Sequence, residues 1–387
     1  MKTHSIHVLR AAAVALPLAL GLACLGSAPV MAATPCSDLA VGKCTIQLST
    51  GITMAYVETG PESGIPIILI HGYTDSIRSW SFAMAVLHKD DPSLRILAIE
   101  LRGHGATSMP PAATCATSPE KCFRIADFAN DVVAFMNAKN IKRAHLVGHS
   151  LGSFTVQEIA LTHPEMVDHA VLVGTSAKVN PDMVGFVNET LGKWSAPLEA
   201  KGKKYPVDFY NLTPLDVDPN VSEWMANIWN ADPAADPATL VPLTQETSRV
   251  RLGNWIGVVR ANQTLDNTER LKQLTVPTLV IWGSQDSIFT SDHQNVLKQA
   301  LEGASRAHGT NIYWKQYGAL PLPPSAQQES DIGHMVQWDA PVTMAADIRS
   351  FVKTGEPTQD LPHSDKAPNI SHILIDHGKA VVVRLGS

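Results

Sequence analysis

The chain has 387 residues, of which 45% are hydrophobic and 17% charged, and this composition excludes a wholly disordered, collagen-like or coiled-coil protein. Its 30 basic and 36 acidic residues give a net charge of −6 without a basic stripe, so we expect no nucleic-acid partner. After the first 33 residues, no run of roughly 18 uncharged apolar residues occurs, so we expect no membrane span.

The first segment has the pattern of a secretory signal peptide. Lys2 and Arg10 precede an apolar run at 11–23, and small residues follow it. We therefore predict that residues 1–33 direct export and that the mature protein is periplasmic or secreted. A lipoprotein anchored at Cys24 is the less favoured alternative, because no aliphatic residue lies three positions before that cysteine.

The four cysteines after the signal segment fall into two close pairs. Cys36 lies near Cys44, and Cys115 lies near Cys122. Four cysteines allow three connectivities, and an exported protein can form disulfides. We expect the two local pairings, Cys36–Cys44 and Cys115–Cys122.

The rest of the chain alternates short β-rich runs with helical stretches. The first element is a predicted hairpin, whose strands at 45–50 and 52–59 are joined by Gly51. Continuous apolar runs, typical of strands buried on both faces, follow at 65–72, 95–101, 144–150, 169–176, 277–283 and 311–318. Helices are predicted at 80–89, 124–139, 151–163 and 340–353. This order predicts an α/β fold with a mostly parallel central sheet and helices on both faces.

The alternation breaks once, after the sixth predicted strand. Residues 177–272 have no buried-strand pattern, and they contain Trp194, Trp224, Trp229 and Trp255. We predict a helical cap over this range, because disordered segments are poor in aromatic residues. The cap divides a core domain into residues 34–176 and 273–354, and a tail follows at 355–387.

A nucleophile motif lies where the strand at 144–150 meets the next helix. Gly148 and Gly152 flank Ser150 in the pattern G-x-S-x-G. The turn at such an elbow is so sharp that the residues two before and two after the serine nearly touch, so both are glycine. The elbow places the serine hydroxyl at a helix N-terminus, where backbone amides face a developing anion. We therefore predict Ser150 as a nucleophile.

A serine nucleophile needs a histidine that accepts its proton and a carboxylate that orients the histidine. Asp286 follows the strand at 277–283, and His334 precedes the last helix, so both match the chain order of serine, acid and histidine. Asp182 and Glu189 are the alternative acids. The tetrahedral intermediate also needs hydrogen-bond donors, and we expect the backbone amides of Tyr73 and Leu151 to supply them.

Several motifs together resemble the α/β-hydrolase family. They are HGYTDS at 71–76 with Trp80, the stretch at 100–108, GHSLG at 148–152, VPTLVIWGSQD at 276–286 and the Gly-His pair at 333–334. The resemblance covers roughly residues 45–353. It implies a triad of Ser150, His334 and Asp286, an oxyanion hole formed by Tyr73 and Leu151, and a cap over the pocket.

A serine at position 150 indicates acyl transfer, whereas epoxide and haloalkane cleavage in this fold uses a carboxylate nucleophile. We therefore expect an exported hydrolase of a carboxylic ester or lactone of a small, rather apolar molecule, without a metal or other cofactor. A C–C bond hydrolase, a cofactor-free perhydrolase or haloperoxidase, and a non-catalytic binding protein are the alternatives. His149, Trp194, Trp224 and Trp229 are the candidate pocket residues.

Overall fold

The computed structural model describes residues 36–37, 39–40, 42–230, 237–318, 332–358 and 381–386. The predicted signal peptide at 1–33 and most of the predicted tail after residue 358 lie outside the described residues. Within the described ranges, no helix is both long and apolar enough to cross a membrane.

The nine described strands form one sheet at the centre of the fold, in the order β1-β2-β4-β3-β5-β6-β7-β8-β9. The strands β3 to β8 are parallel, whereas β1, β2 and β9 add antiparallel pairs at the two edges. Their bounds are β1 Cys44–Gln47, β2 Thr53–Thr59, β3 Ile65–Ile70, β4 Leu94–Ile99, β5 Ala144–His149, β6 Val167–Val173, β7 Thr278–Gly283, β8 Ile312–Tyr317 and β9 Val381–Arg384.

Helices cover both faces of the sheet and form the cap. The α-helices are α1 Ser81–Asp90, α2 Ala112–Cys115, α3 Ile125–Ala138, α4 Leu151–Thr162, α5 Pro181–Glu199, α6 Pro214–Val217, α7 Val221–Trp224, α8 Pro237–Thr247, α9 Leu252–Asn262, α10 Thr268–Leu271, α11 Ser291–His308, α12 Val336–Asp339 and α13 Pro341–Thr354. Short 3₁₀ helices lie at Ile77–Trp80, Pro119–Cys122, Pro164–Met166 and Val207–Phe209, and a π-helix lies at Met225–Trp229.

The central strands are continuous apolar runs because each packs against helices on both sides. One apolar cluster joins the sheet to α3, α4 and α11, and a second joins the opposite face to α1 and α13. All six residues of β4, β5 and β7 are buried. The predicted α/β class, with a mostly parallel sheet and a helical cap after the sixth strand, is confirmed.

Helix α11 was not predicted from the sequence. It connects β7 to β8 and buries Leu297, Ala300, Leu301 and Ala304 on one face. Two of these four residues are alanine, so the apolar stripe is weak in the sequence although the helix is amphipathic. Two neighbouring parallel strands need a long crossover connection, and α11 supplies it between β7 and β8.

The cap has its own apolar core. On α5 the side chains of Val187, Leu191 and Trp194 pack against those of α9. The cluster also contains Trp255, Ile256, Phe209 and Met225. This cluster excludes water from the cap's interior, so the cap is a packed unit above the sheet and not a loose loop.

The structure contains both predicted disulfides. Cys36 bonds Cys44 with a Cα–Cα distance of 5.5 Å, and Cys115 bonds Cys122 at 6.0 Å. The first disulfide anchors the segment before β1, and the second closes the loop before α3.

Candidate active site

Ser150 occupies the sharp turn between β5 and α4. Its backbone has φ 50° and ψ −115°, a conformation that costs free energy for a residue with a Cβ. A Cβ atom at Gly148 would lie 2.3 Å from the carbonyl oxygen of Gly152, and one at Gly152 would lie 2.3 Å from that of Ile70. Both positions therefore require glycine, which is the close approach that the G-x-S-x-G pattern predicts.

Two backbone amides flank Ser150 in the cavity. Leu151 is the first residue of α4, so its amide has no partner within the helix. The amide of Tyr73, in the loop after β3, donates no hydrogen bond to any described residue. Gly72 brings this loop close, because a Cβ there would lie 3.2 Å from the Cβ of Ser150. The predicted oxyanion donors thus border the same cavity as Ser150.

Asp286 and His334 form a hydrogen-bonded pair beside the same cavity. The Asp286 carboxylate lies after β7, is 3% exposed, and accepts the Nδ1–H of His334 at 2.9 Å. Its other oxygen accepts the amides of Ile288 and Phe289, both at 2.8 Å. These contacts fix the carboxylate and, through it, the orientation of the imidazole.

The other ring nitrogen of His334, Nε2, is buried and has no hydrogen-bond partner among the described residues. Both His334 and Ser150 line the cavity. The two alternative acids lie elsewhere. Glu189 pairs with Lys193 on the cap surface, and Asp182 lies in the exposed first turn of α5. Of the acids proposed from the sequence, Asp286 is the one that contacts His334.

His149, one of the candidate pocket residues, lines the cavity and supports His334. Its Nε2 donates to the backbone oxygen of His334 at 3.1 Å, and the two rings lie 4.8 Å apart. Burial, followed by the proximity of His334, holds the pKa of His149 well below its ordinary value. The ring is therefore neutral and adds no positive charge beside His334.

The loop at 72–76 is bound to the cap through side chains. The Tyr73 hydroxyl donates to the backbone oxygen of Trp255 at 2.7 Å. The Trp229 indole donates to the Thr74 hydroxyl at 2.8 Å. Thr74 has φ 59°, so this loop, like the turn at Ser150, holds a strained backbone conformation. The cap therefore contacts the loop that carries the Tyr73 amide.

The cavity lies between the cap and the carboxyl ends of the strands. Its lining is mainly apolar, with Met183, Val184 and Val187 from α5 and Val258 and Val259 from α9. A concave, mainly apolar lining with a few polar groups is typical of a site for a small organic molecule.

Two of the pocket predictions are wrong. Trp229 lines the cavity as predicted, but Trp194 and Trp224 do not. Trp194 is 6% exposed and packs edge-on against Trp224 and Trp255, with ring centroids 5.4 and 5.3 Å away. These two tryptophans face the cap's own core, because a cap without a sheet of its own needs large side chains to fill its interior.

The polar cavity residues Asp75, Asn180, Asn230 and Asn262 were not predicted from the sequence, and Asp75 is the acid among them. It follows Thr74 in HGYTDS and lines the cavity with only 8% of its surface exposed. Asp75 lies in the loop after a buried strand. Side chains at the carboxyl ends of parallel strands meet at one edge of the sheet, so this position could have indicated a cavity residue.

Among the described residues, no group of three or more His, Cys, Asp or Glu side chains is arranged to hold a metal ion.

Comparisons with known proteins show the family of the chain. Residues 65–341 match the family profile described as alpha/beta hydrolase fold. Bifunctional epoxide hydrolase 2 of Sus scrofa is 28% identical over 139 residues, which cover 36% of this chain and 23% of that protein. This chain therefore spans less than a quarter of that relative's length.

Two further similarities cover more of the chain. A non-heme chloroperoxidase of Streptomyces lividans is 25% identical over 256 residues, which cover 63% of this chain and 82% of that protein. The crystal structure of the enol-lactonase from Burkholderia xenovorans LB400 superposes with a TM-score of 0.57 at 18% identity, covering 80% of this chain and 100% of the enol-lactonase.

Proposed function

This chain belongs to the alpha/beta hydrolase fold family, and from that premise we propose that it is a serine hydrolase that cleaves a carboxylic ester or lactone. The observation that carries the proposal is the His334–Asp286 hydrogen bond of 2.9 Å. It leaves Nε2 of His334 without a partner among the described residues, in the cavity that Ser150 lines. A neutral imidazole held in this tautomer presents an acceptor to a serine hydroxyl.

In the proposed reaction, Nε2 of His334 accepts the hydroxyl proton of Ser150 as Oγ attacks the ester carbonyl. The resulting imidazolium is stabilised by the Asp286 carboxylate. His334 then gives the proton to the leaving alkoxide as the ester C–O bond breaks, which leaves an acyl group on Ser150. A water molecule, deprotonated by His334, attacks the acyl carbon and releases the carboxylic acid and the restored serine.

The tetrahedral intermediates carry negative charge on the former carbonyl oxygen. The amides of Tyr73 and Leu151 are the proposed donors to this oxygen. Such donors, fixed before the reaction, typically contribute about 3–4 kcal/mol each to the transition state. The N-terminus of α4 adds a favourable partial positive charge beside Leu151.

The mainly aliphatic lining favours a small, rather apolar substrate. Lactone cleavage uses the same steps as ester cleavage, and the structural similarity to an enol-lactonase supports including lactones. Export is part of the proposal, because the pattern at 1–33 and the two disulfides fit an oxidising compartment.

Perhydrolysis is the second candidate function, and the similarity to a non-heme chloroperoxidase favours it. In that reaction hydrogen peroxide replaces water and attacks the acyl-enzyme, which yields a peracid. A C–C bond hydrolase would use the same three residues.

Turnover assays test the proposal. The purified protein is assayed against p-nitrophenyl esters of about two to twelve carbons, a panel of lactones, and short acids with hydrogen peroxide. We expect ester or lactone turnover that falls by several orders of magnitude in Ser150→Ala and is unchanged in Ser291→Ala, a serine exposed at the start of α11. Equal turnover in Ser150→Ala and the wild type would contradict the proposal, and peracid formation without ester turnover would favour the second candidate.

A further inference from the structure

A chain of buried polar side chains lies next to the turn that carries Ser150. Ser153, on the first turn of α4, and Thr175, after β6, are 0% and 1% exposed, and they are not among the described residues that line the cavity. The Ser153 hydroxyl lies 2.6 Å from the backbone oxygen of Ser150 and 2.7 Å from the Thr175 hydroxyl. The proposed reaction uses neither side chain.

The hydrogen bonds of this chain have one direction of donation. A hydroxyl has one proton to donate, whereas a backbone carbonyl can only accept. The proton of Ser153 therefore lies on the contact with the Ser150 carbonyl, and the Thr175 hydroxyl donates to Ser153. In the reverse assignment two acceptor oxygens would face each other at 2.6 Å, and the Thr175 proton would have no acceptor among the described residues.

The chain begins at the junction of the cap and the core. Nε2 of Gln157 donates to the Thr175 hydroxyl at 3.0 Å and to the Ser176 carbonyl at 2.9 Å. Oε1 of Gln157 accepts Nδ2 of Asn267 at 3.0 Å. Asn267 also donates its backbone amide to the Ala177 carbonyl at 2.8 Å, which joins the two ends of the cap. Further partners thus fix the donors of the chain, and its hydrogen bonds all point towards Ser150.

The chain ends on the peptide group that carries a proposed oxyanion donor. The carbonyl of Ser150 and the amide of Leu151 belong to one trans peptide unit, so they point in opposite directions. The Ser150 oxygen also accepts the helix amides of Ser153 and Phe154, at 2.9 and 3.2 Å, and the Ser153 hydroxyl makes the shortest of the three contacts. A donor on this oxygen fixes the plane of the peptide and polarises it, which makes the Leu151 N–H a stronger donor.

We propose that Ser153 and Thr175 are positioning residues, whose hydroxyls hold and polarise the peptide between Ser150 and Leu151 so that its amide donates more strongly to the oxyanion. This inference rests on the proposed function and adds to it two residues outside the cavity. The backbone of Ser150 needs such support, because its φ of 50° is a conformation that persists only when the surrounding structure holds it.

Two general magnitudes set the contribution of the Ser153 hydroxyl. Removing an oxyanion donor outright lowers kcat by about 10²–10³. One hydrogen bond in a chain strengthens its neighbour by about 10–30%. Loss of the hydroxyl, with the Leu151 amide retained, should therefore lower kcat by about two- to eightfold. Acylation and deacylation both pass through an oxyanion, so kcat reports this donor whichever step is slower.

The test compares variants that remove or keep one hydroxyl. Ser153→Ala removes the donor to the Ser150 carbonyl. Thr175→Val has the shape of threonine without the hydroxyl, whereas Thr175→Ser keeps the hydroxyl. Ser195→Ala is the control, because Ser195 is a serine of α5 with 5% exposure whose hydroxyl bonds Glu199 at 2.8 Å within the cap. Each variant is assayed on the best ester from the panel.

Turnover should depend on the two hydroxyls of the chain. We expect Ser153→Ala and Thr175→Val to lose kcat by about two- to eightfold, and Thr175→Ser and the control to keep it. Ser153→Ala with wild-type kcat would overturn the proposal, and so would equal losses in Thr175→Val and Thr175→Ser. The Ser153→Ala result decides the matter even if Thr175→Val does not fold.

A spectroscopic measurement separates this role from a general loss of stability. Ser150 adds to the carbonyl carbon of a trifluoromethyl ketone, and the hydroxyl of the hemiketal loses its proton to solvent to give an oxyanion, which ¹⁹F NMR follows with pH. A weaker Leu151 donor should raise the midpoint of this ionisation in Ser153→Ala by about 0.3–0.9 pH unit, the logarithm of the kinetic factor. An unchanged midpoint would overturn the proposal, whereas a wild type that neither forms the adduct nor cleaves esters would contradict the proposed function itself.

Discussion

At the scale of single residues, the site depends on a few side chains whose positions are fixed by hydrogen bonds. Asp286 is fixed by two amides and in turn holds Nδ1 of His334, and His149 holds the backbone of His334 from the other side. Ser150, the proposed nucleophile, lies on a strained turn that glycine at 148 and 152 permits. Each of these groups has little freedom to move, which is the preorganisation that acyl transfer requires.

The role of Asp286 is tested by Asp286→Asn. The amide still fills the space but donates a hydrogen bond towards Nδ1, so His334 is held in the wrong tautomer. We expect kcat to fall by about 10⁴ with little change in KM, measured on the best ester from the panel. Asp182→Asn should retain full activity, and an Asp286→Asn enzyme with near wild-type kcat would contradict the assignment.

Asp75 also makes stability depend on pH. Burial raises its pKa in the folded protein to about 7 from the ordinary value of 3.8, and the negative charges of Glu246 and Glu100 add to this effect. Between these values the folded state binds more protons than the unfolded state, so the free energy of unfolding falls as pH rises. Asp75→Asn removes this effect, while Glu246, Glu100 and Arg78 stay in place.

The gain in unfolding free energy of Asp75→Asn over the wild type should therefore increase from pH 5 to pH 8. The increase is about 1.4 kcal/mol for each pH unit from pH 5 up to the folded-state pKa of about 7, and it levels off above that pKa. Urea unfolding of both proteins at the two pH values measures it. A gain that is the same at both values, or that shrinks as pH rises, would show that Asp75 ionises normally.

At the scale of elements, the cap is coupled to the loop at 72–76. Besides the bonds of Tyr73 and Thr74 to the cap, Glu246 on α8 accepts hydrogen bonds from the Ser76 hydroxyl and, at 2.8 Å, from Nη2 of Arg78. The position of the cap therefore helps to set the position of the Tyr73 amide.

Tyr73→Phe tests that coupling, because it removes the hydroxyl that bonds the Trp255 carbonyl and leaves the Tyr73 backbone amide in place. We expect kcat to fall by about tenfold, since a small misplacement of a donor weakens the transition state more than substrate binding. Tyr205→Phe, elsewhere in the cap, should have no such effect. A Tyr73→Phe enzyme with wild-type kcat would show that the loop keeps its position without the cap.

Physical causes explain which features could be predicted from the sequence and which could not. Strands such as β3 and β7 were predictable because burial on both faces requires unbroken apolar runs. Ser150 was predictable because its turn demands glycine at 148 and 152. Helix α11 was missed because alanines carry part of its buried face. Trp194 and Trp224 were wrongly predicted to line the pocket because composition does not distinguish the cap's core from the cavity wall. Asp75 was not predicted because, in the sequence, a single acidic residue in a loop resembles a solvent-exposed one.

At the scale of the whole molecule, the disulfides fasten the segment before β1 and the loop before α3. Cys115–Cys122 closes the loop before α3, and the adjacent Phe123 packs so closely on α9 that a Cβ at Gly257 would lie 2.3 Å from its ring. The disulfide thus supports a contact between the core and the cap.

Replacing both Cys115 and Cys122 by serine should lower the free energy of unfolding by about 2–3 kcal/mol, the range for a short closed loop. Chemical denaturation of the purified variant measures this loss. The double replacement of Cys36 and Cys44 is the matched comparison. Unchanged stability in the Cys115/Cys122 variant would show that packing alone holds the loop.

The central claim is that Ser150 is the nucleophile of an acyl-transfer site. Its most direct test is to label the purified protein with a fluorophosphonate and to map the adduct by peptide mass spectrometry. We predict one adduct on Ser150, none in Ser150→Ala, and slower labelling in His334→Ala, because the histidine accepts the proton of the serine hydroxyl. An adduct at another serine, or no adduct in the wild type, would contradict the claim.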